Sequence, residues 1–333
     1  MHIAVTGSIA TDHLMVFPGR FTDQLIPERL DRVSLSFLAD HLEVRRGGVG
    51  ANVALGLARL GLTPLLVGAA GNDFADYRAW LKDAGVDTRS VRVSETLHTA
   101  RFVCTTDSDQ NQIATFYAGA MAEAGEIDLR HTAQRVRKLD LVLIGADDPN
   151  AMLRHTATAH RLNCPVAADP SQQLARVDRQ QARALVDGAR YVFTNEYEAA
   201  LLLEHTGWTE SQVLGRVGTW VTTLAERGVS LTRADGHRED VPAVATDRVA
   251  DPTGAGDAFR AGFLAGVSWG LPHRRAAQVG CALASTALES VGTQEYKLVP
   301  SELVQRIALA YGQEAADAVT RPWEDAPWPA TPG

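Results

Sequence analysis

The chain has 333 residues, which is enough for one large α/β domain with an appendage or for two domains. Its 45% hydrophobic and 22% charged residues are ordinary for a globular protein, and no apolar run approaches the ~20 residues that span a bilayer. The net charge of −8 argues against nucleic acid or an anionic membrane as the main partner, although a local pocket can still be positive.

The first half of the chain contains strand and helix signals of the α/β kind. Residues 2–6 alternate apolar and β-branched types and predict a strand that ends at Gly7. Apolar residues at helical spacing predict a helix over 50–61. Residues 64–69 then predict a buried strand, and residues 76–84 predict a second helix.

Two early segments do not fit this alternation. Residues 99–117 predict a hairpin around a polar turn, and residues 13–45 show strand and loop signals without a helical period. We therefore expect a small β-sheet lid, formed by 13–45 and 96–118, outside the main sheet. Exposed edges of such a lid invite pairing with a second copy, which favours a homodimer through the lid.

From residue 138 the alternation becomes regular. Short apolar strands that alternate with helices predict a mostly parallel sheet with helices on both faces. The predicted strands are 139–145, 166–169, 191–194 and 219–224, and the predicted helices are 149–161, 178–187, 196–203, 257–270 and 272–289. The α/β body then comprises 1–12, 46–95 and 119–318, and the proline-rich residues 319–333 form a flexible tail.

The residues Thr-Gly-Ala-Gly-Asp at 253–257 lead directly into a helix of small residues. Backbone N–H groups of Gly254, Ala255 and Gly256 can converge there, and the helix N-terminus adds about half a positive charge. Such a place stabilises a phosphoryl group during transfer, and Asp257 is placed to take a proton from an attacking hydroxyl. The spacing alone leaves open that Asp257 is only the N-cap of the helix.

A second glycine-rich segment, Gly-Gly-Val-Gly-Ala-Asn at 47–52, also precedes a helix. Its glycines allow a ligand to approach the backbone, and Asn52 can both donate to and accept from a hydroxyl. No Gly-Lys-Ser/Thr follows, and the segment is not a GxGxxG fingerprint after a strand. Taken alone, this segment is explained equally well as an ordinary glycine-rich loop without a binding role.

Together the two segments resemble the paired signatures of the ribokinase-like (PfkB-type) carbohydrate kinase family. The sugar-binding GG-x-G-x-N motif and the D-x-x-G-A-G-D motif that carries the base stand in the family's order, roughly two hundred residues apart. The resemblance implies a ribokinase-like fold, an ATP- and Mg²⁺-dependent kinase, and Asp257 as the catalytic base. It also makes the α/β body the catalytic and nucleotide-binding domain.

The resemblance extends to further stations along the chain. Asp12 and Gly48, with Asn52, look like the residues that hold substrate hydroxyls. The expected nucleotide-binding residues are Asn195, Thr223, Gly228 and Gly256. Glu198 of the NxxE motif is expected to act on Mg²⁺ through water, and Asp251 with the Thr253 carbonyl matches a potassium site of many relatives.

Within the family, segments 7–14, 98–102, 169–175 and 289–295 are similar to the adenosine kinases of actinobacteria. This likeness implies that Phe102 and Phe116 lie against a purine. The alternative is that both side chains pack the hairpin onto the sheet. The likeness leaves two interpretations for each of four polar residues: contacts to base or ribose, or local roles at a helix entry and in the backbone. These residues are Ser8, Ser36, Gln172 and Gln173.

Three positions depart from the common family pattern. Ser8 stands where many sugar kinases carry asparagine, and Val49 replaces a common lysine; both changes fit the adenosine kinases. Ala225 occupies a place where the family usually has glycine. The alternatives are a kinase for another nucleoside or a free sugar, and a nucleoside-sensing protein without catalysis.

Composition also bears on compartment and on metal sites. The three cysteines are isolated and lack ligand spacing, so we expect buried thiols in a reducing cytosol. The ten histidines show no zinc-ligand spacing. The N-terminus reaches Gly7 after a few apolar residues, unlike a signal peptide, so we expect a cytoplasmic protein.

Overall fold

The computed structural model describes residues 1–25, 36–246 and 248–324, so residues 26–35 of the predicted lid and 325–333 of the predicted tail lie outside the described residues. The strands are β1 (Ile3–Thr6), β2 (Ala10–Val16), β3 (His41–Gly47), β4 (Leu65–Ala70), β5 (Asp87–Val93), β6 (Ala100–Thr106), β7 (Gln112–Tyr117), β8 (Leu141–Ile144), β9 (Val166–Ala168), β10 (Tyr191–Asn195), β11 (Thr219–Thr223), β12 (Val229–Arg233) and β13 (Arg238–Val241). The helices are α1 (Phe21–Gln24), α2 (Val49–Arg59), α3 (Ala75–Asp83), α4 (Leu129–Arg135), α5 (Pro149–Arg161), α6 (Arg179–Val186), α7 (Glu196–Thr206), α8 (Glu210–Leu214), α9 (Ala255–Ser268), α10 (His273–Leu288), α11 (Pro300–Tyr311) and α12 (Gln313–Glu324).

The larger sheet has nine strands among the described residues, in the order β13-β12-β11-β10-β9-β8-β1-β4-β5. All pairings from β11 to β5 are parallel, whereas β12 and β13 continue the sheet antiparallel. The carboxyl ends of the parallel strands therefore lie along one edge, which is where ligands bind in open α/β folds. The predicted α/β class and mostly parallel sheet are confirmed.

Helices cover both faces of this sheet. Val5 and Leu143 belong to an apolar cluster with α2, α3 and α9 to α12, whereas Ala4 and Ile144 belong to a second cluster with α4 to α8. Strands buried on both faces have continuous apolar runs, which explains why they were recognisable in the sequence. None of the described helices is both long and apolar enough to cross a membrane.

The second described sheet has the order β3-β2-β6-β7 and corresponds to the predicted small β-sheet. The predicted hairpin consists of β6 and β7, which pair antiparallel with Phe102 opposite Phe116. Strand β2 follows β1 along the chain and pairs with both β3 and β6, so the two sequence-distant lid segments meet on β2.

The predicted tail begins too early. Residues 319–324 belong to α12, and Ala315, Ala316 and Val319 are fully buried in the cluster that also contains α10. An apolar stripe at helical spacing thus holds this segment against the body, even though prolines follow it closely.

Candidate active site

A pocket of about 1000 Å³ opens at the carboxyl edge of the main sheet. Asn195 ends β10, Thr223 ends β11, and Asp169 follows β9, so three neighbouring parallel strands contribute to its wall. The first turn of α9 closes the pocket on another side. Of the residues predicted from the sequence, those that line it are Asn195, Glu198, Thr223, Gly228, Gly254, Ala255, Gly256 and Asp257.

Asp257 lies in the first turn of α9 and is not its N-cap. The N-cap is Gly254, with a φ of 81°, and no side chain caps the helix. The alternative in which Asp257 serves only as a cap is therefore wrong. The left-handed backbone of Gly254 turns the chain into the helix, whose first-turn N–H groups have no intrahelical acceptor.

Asn52 meets Asp257 across 205 residues of sequence, with Asn52 Nδ2 donating to Asp257 Oδ2 at 2.8 Å. Burial raises the pKa of Asp257, while Arg260 and the Asn52 hydrogen bond lower it and Glu198 raises it further. Among the described residues, no hydrogen bond reaches Asp257 Oδ1. One carboxylate oxygen is thus held in place and the other is available to a hydroxyl.

Arg260 lies one turn beyond Asp257 on α9 and is 6% exposed. Its Nη2 donates to Asp169 Oδ1 at 2.6 Å, and its Nε lies 2.5 Å from Asp169 Oδ2. The structure buries Arg260 in the pocket wall. The sequence signal that could have placed Arg260 in the site is a charged residue within a helix of mostly small and apolar residues.

Gly256 allows this guanidinium to approach the mouth of the pocket. A Cβ at Gly256 would lie 2.8 Å from Arg260 Nη1, so a larger residue would displace the arginine. Burial raises the pKa of Asp169 to about 6, with Arg260 opposing the shift and Glu198 and Asp257 adding to it. Around Arg260, the wall therefore combines one buried cation with the carboxyl groups of Asp169, Glu198 and Asp257.

Asn195 and Glu198 form a capping box at the start of α7. Asn195 Oδ1 accepts from the Glu198 N–H and Glu198 Oε2 accepts from the Asn195 N–H, each at 2.8 Å. Ser171 Oγ donates to Glu198 Oε1 at 3.0 Å. The NxxE motif thus has a structural role that fixes the Glu198 carboxylate at the pocket wall.

The predicted substrate residues Ser8 and Gly48 lie at the start of α2. Ser8 Oγ accepts from the N–H of Val49, which lies 41 residues further along the chain, at 3.1 Å, so this oxygen contacts the backbone of the glycine motif and not that of its own loop. Gly48 has a φ of 96°, and a Cβ there would meet Ser8 O at 2.5 Å. Only glycine fits where these two segments cross.

On the lid, Asp12, Phe102 and Phe116 are direct neighbours on β2, β6 and β7, so their side chains share one face of the sheet. Phe116 is 48% exposed, which excludes the alternative that it is packed into the core. Arg45, on β3, lies opposite Asp12 in the register of the two strands. Its Nη1 lies 3.8 Å from Asp251 Oδ2. This face of the lid is therefore directed towards the loop before α9.

The remaining predicted substrate residues are dispersed. Ser36 and Gln172 are exposed, and Gln172 Oε1 lies 2.5 Å from Ser171 Oγ. Gln173 is 6% exposed, and its Oε1 has no hydrogen-bond partner among the described residues. Of the predicted substrate residues, only Asp257 is among the described residues that line the pocket, and Ser36 and Gln172 lie outside its wall.

The family model described as pfkB family carbohydrate kinase matches residues 6–300. The chain belongs to the PfkB family of carbohydrate kinases. It is 28% identical over 263 residues to a nucleoside kinase of Methanocaldococcus jannaschii, covering 78% of this chain and 85% of that protein. It is 32% identical over 275 residues to a nucleoside kinase of Methanothermobacter thermautotrophicus, covering 80% and 86%.

A solved structure of Burkholderia thailandensis nucleoside kinase in complex with inosine has a TM-score of 0.81 and 32% identity, covering 93% of this chain and 98% of that chain. This PfkB-family chain therefore has the ribokinase-like fold. It is a phosphotransferase of the nucleoside and sugar kinase type. The resemblance found in the sequence is confirmed for the family.

In this PfkB-family kinase, Asp251 precedes α9 and contacts the turn at Gly292. Asp251 Oδ1 accepts from the Thr253 N–H at 2.9 Å, and Oδ2 accepts from the Gly292 N–H at 3.0 Å. Burial opposes ionisation of Asp251, but these hydrogen bonds and Arg45 outweigh it and lower its pKa. Within the described residues there is no group of three or more His, Cys, Asp and Glu side chains arranged to hold a metal ion.

Ala225, which departs from the family pattern, adopts a φ of 52°. The backbone thus keeps the left-handed conformation that glycine adopts without strain. The alanine Cβ is therefore accommodated in a conformation that favours glycine.

Proposed function

We propose that this PfkB-family kinase transfers the γ-phosphoryl group of ATP to the 5′-hydroxyl of adenosine, giving AMP and ADP in purine salvage. The observation that carries the proposal is the row of Asp12, Phe102 and Phe116 on the lid face directed towards α9. A carboxylate suits ribose hydroxyls, and two neighbouring aromatic side chains suit a flat base. A free sugar would need only the first of these.

Asp257 is the proposed base. Its Oδ1 is unoccupied by protein hydrogen bonds among the described residues, whereas Oδ2 is held by Asn52. The 5′-hydroxyl would donate to Oδ1 and lose its proton there as its oxygen attacks the γ-phosphorus. Asp12, Gly48 and Asn52 hold the ribose, with Ser8 shaping the loop beneath it.

The first turn of α9 is the proposed anion hole. Gly254, Ala255 and Gly256 line the pocket, where their backbone N–H groups would donate to the phosphoryl group, and Arg260 lies in the same wall and adds positive charge. Charge that develops on the moving phosphoryl group would be stabilised by these preorganised donors. The remaining pocket wall, with Asn195, Thr223 and Gly228, would hold the nucleotide.

Mg²⁺ fits the residues present. Each Glu198 oxygen accepts one hydrogen bond from the protein, which leaves lone pairs for waters of a hydrated ion. When bound, Mg²⁺ neutralises charge on the phosphates. Asp251 and the Thr253 carbonyl, held beside Gly292, are likewise oxygen donors of the type that K⁺ takes, and we propose a potassium site there.

We also propose that the lid, residues 13–45 and 96–118, closes over the site and joins two copies of the chain. The lid face opposite Asp12 exposes four apolar residues at 43–56%. They are Leu42, Val44, Ile113 and Tyr117. A second copy would cover this face; sedimentation velocity tests it, because wild type should be dimeric and Val44→Lys monomeric, and a monomeric wild type contradicts the proposal.

The decisive experiment is a steady-state screen of adenosine, inosine, guanosine, cytidine and ribose with Mg²⁺ and ATP. We expect the highest kcat/KM with adenosine and no nucleoside turnover after chelation of Mg²⁺. Ribose turnover without nucleoside turnover would favour the free-sugar alternative, and inosine turnover would follow the ligand of the Burkholderia relative. Binding without any turnover would favour a nucleoside-sensing protein.

Asp257→Asn tests the base directly. We expect kcat to fall by about 10³-fold or more, because general-base catalysis contributes 10²–10⁴ and the anion hole is kept. Gln313→Ala, on the exposed surface of α12, is the matched control and should keep wild-type kcat. Near-normal turnover by Asp257→Asn would show that another group accepts the proton.

We expect the reaction to take place in the cytoplasm.

A further inference from the structure

A line of buried side chains connects α3 with Asp257. The Trp80 indole Nε1 donates to Gln294 Oε1 at 3.2 Å, and Gln294 Nε2 donates to Asn52 Oδ1 at 2.9 Å. Asn52 Nδ2 then donates to Asp257 Oδ2 at 2.8 Å. Gln294 is fully buried and Asn52 is 6% exposed, so bulk water does not compete for the hydrogen bond between them.

The two ends of this line fix its direction. An indole N–H only donates and an ionised carboxylate only accepts. Each of the two amides between them must therefore turn its oxygen towards Trp80 and its nitrogen towards Asp257. With Gln294 in this orientation, its amide nitrogen meets Asn52 Oδ1, which leaves Asn52 Nδ2 for the carboxylate.

Tyr77 holds the Gln294 amide from a second side. Its hydroxyl lies 2.5 Å from Gln294 Nε2, from which it accepts, and it donates to the Gly47 carbonyl at 2.8 Å. Tyr77 and Trp80 lie three residues apart on α3 and so share one face of that helix. The glycine motif and the amide line are thereby held together by α3.

Thr293 does not decide the direction. Its hydroxyl lies 3.1 Å from the Arg46 carbonyl and 3.0 Å from Asn52 Oδ1, and its single proton can serve only one of them. A reversed Asn52 could donate to Thr293, which would still donate to Arg46. The orientation of Asn52 therefore depends on Gln294.

We propose that Trp80, Gln294 and Tyr77 are positioning residues that hold the Asn52 amide with its nitrogen towards Asp257 and so keep the base ionised. This inference rests on the proposed role of Asp257 as base. A reversed Asn52 would present an oxygen to the carboxylate and favour its protonated, inactive form. The same orientation leaves only the second Nδ2 hydrogen of Asn52 for a substrate hydroxyl.

Other charged groups also act on Asp257, and the experiment must leave them unchanged. Arg260 lies on the same helix, Glu198 on α7, Asp169 after β9, and Tyr296 after α10. None of them is hydrogen-bonded to Gln294 in the described part of the chain. A change at Gln294 therefore reaches Asp257 through Asn52 or through its own charge.

The test is the pH dependence of kcat/KM for Gln294→Glu, a nearly isosteric change that replaces the donor by an acceptor. We expect the acidic limb to move upward by about one pH unit, because Asn52 loses the donor that orients it. Gln278→Glu is the matched control: Gln278 is also buried, on α10, and accepts from Arg275, so its profile should coincide with wild type. A Gln294→Glu profile that coincides with wild type, or a Gln278→Glu shift of the same size, overturns the proposal.

Trp80→Phe separates orientation from charge and serves if Gln294→Glu does not fold. It removes the indole donor without adding a charge, and we expect its acidic limb to shift in the same direction by a smaller amount. An unchanged limb in Trp80→Phe overturns the proposal. Asp257→Asn separates failure of the proposed base from failure of the positioning role. If Asp257→Asn keeps wild-type turnover, Asp257 is not the base. If Asp257→Asn is inactive and the Gln294 and Trp80 variants show no shift, only the positioning role is contradicted.

Discussion

Arg260 and Asp169 form an ion pair in the wall of the pocket, with Arg260 Nη2 2.6 Å from Asp169 Oδ1. The arginine side chain is 7% exposed and the aspartate side chain 1%. Neither charge can be left alone at this depth, since an unpaired buried ion costs several kcal/mol. The pair therefore ties α9, which carries Asp257, to the end of β9.

Arg260→Met should lower the free energy of unfolding by about 3–5 kcal/mol, because it leaves Asp169 buried without its partner. The double variant Arg260→Met/Asp169→Leu should recover most of this loss. Urea denaturation at constant pH measures both. Arg238→Met breaks an exposed pair with Asp240 and serves as the control, with an expected loss below about 1 kcal/mol. A single variant as stable as wild type would show that the pair contributes nothing.

Glu198→Gln should separate the two roles of the capping box. Glutamine can still accept from the Asn195 N–H, so the melting temperature should stay near that of wild type. Loss of the charge should raise the Mg²⁺ concentration for half-maximal activity by about tenfold. Gln181→Ala disrupts the capping box of α6 with Asp178 and should lower stability without changing the Mg²⁺ requirement. An unchanged requirement in Glu198→Gln would place magnesium elsewhere.

The fold was largely predictable because its parallel strands are buried on both faces and carry uninterrupted apolar runs, as β8 does. Strand β5 was missed since its seven residues include two arginines and an aspartate, a pattern that does not separate an edge strand from a loop. The last residues of α12, 319–324, were assigned to the tail because Pro322 and the later prolines lie there. Packing against α10 decided that segment, and the sequence does not show packing.

The site was predictable where backbone and motif coincide, as in Gly254 and Asp257. Its supporting residues were not. Trp80 lies in none of the segments singled out for a functional role, and Gln294 lies in segment 289–295 without a role assigned to it; only the fold brings the two residues to Asn52. Arg260 was visible as a charged residue in an apolar helix, but its partner Asp169 lies 91 residues away.

Ala225→Gly should stabilise the protein slightly. Ala225 has a φ of 52°, where an L-residue with a Cβ is strained by about 1–2 kcal/mol, and glycine removes that strain at a smaller cost in unfolded-state entropy. We expect a net gain of about 0.5–1 kcal/mol in thermal or urea unfolding. A loss of stability would mean that the surroundings relieve the strain on alanine.

Gly228→Ala should disrupt the part of the pocket wall that we propose to hold the nucleotide. A Cβ at Gly228 would lie 2.1 Å from the Val241 carbonyl oxygen, and its φ is 98°. Gly236 has a φ of 79° with nothing within 4 Å of an added Cβ, so Gly236→Ala carries the backbone strain alone. We expect Gly228→Ala to lose clearly more stability than Gly236→Ala and to raise the KM for ATP. Equal losses would show that the Val241 contact relaxes freely.

His155 on α5 makes stability depend on pH. It is 1% exposed, its Nε2 lies 3.3 Å from the Ile127 carbonyl, and its Nδ1 has no partner among the described residues. Burial lowers the pKa of His155 to about 4, with the Ile127 hydrogen bond opposing, Arg154 adding and Asp128 opposing. The folded protein thus keeps His155 neutral where the unfolded chain would protonate it.

Between about pH 6.5 and pH 4 the unfolded state binds the additional proton, so stability falls as the pH falls through this window. The loss should approach about 3 kcal/mol at pH 4, since each pKa unit corresponds to about 1.4 kcal/mol. His155→Gln keeps an N–H donor for the Ile127 carbonyl and removes the titration. The difference in unfolding free energy between wild type and this variant should therefore be constant above pH 7 and change steadily below pH 6.5 in favour of the variant. A difference that stays constant down to pH 4 would mean that His155 takes up its proton at the same pH in the folded and the unfolded state, and so that burial does not lower its pKa.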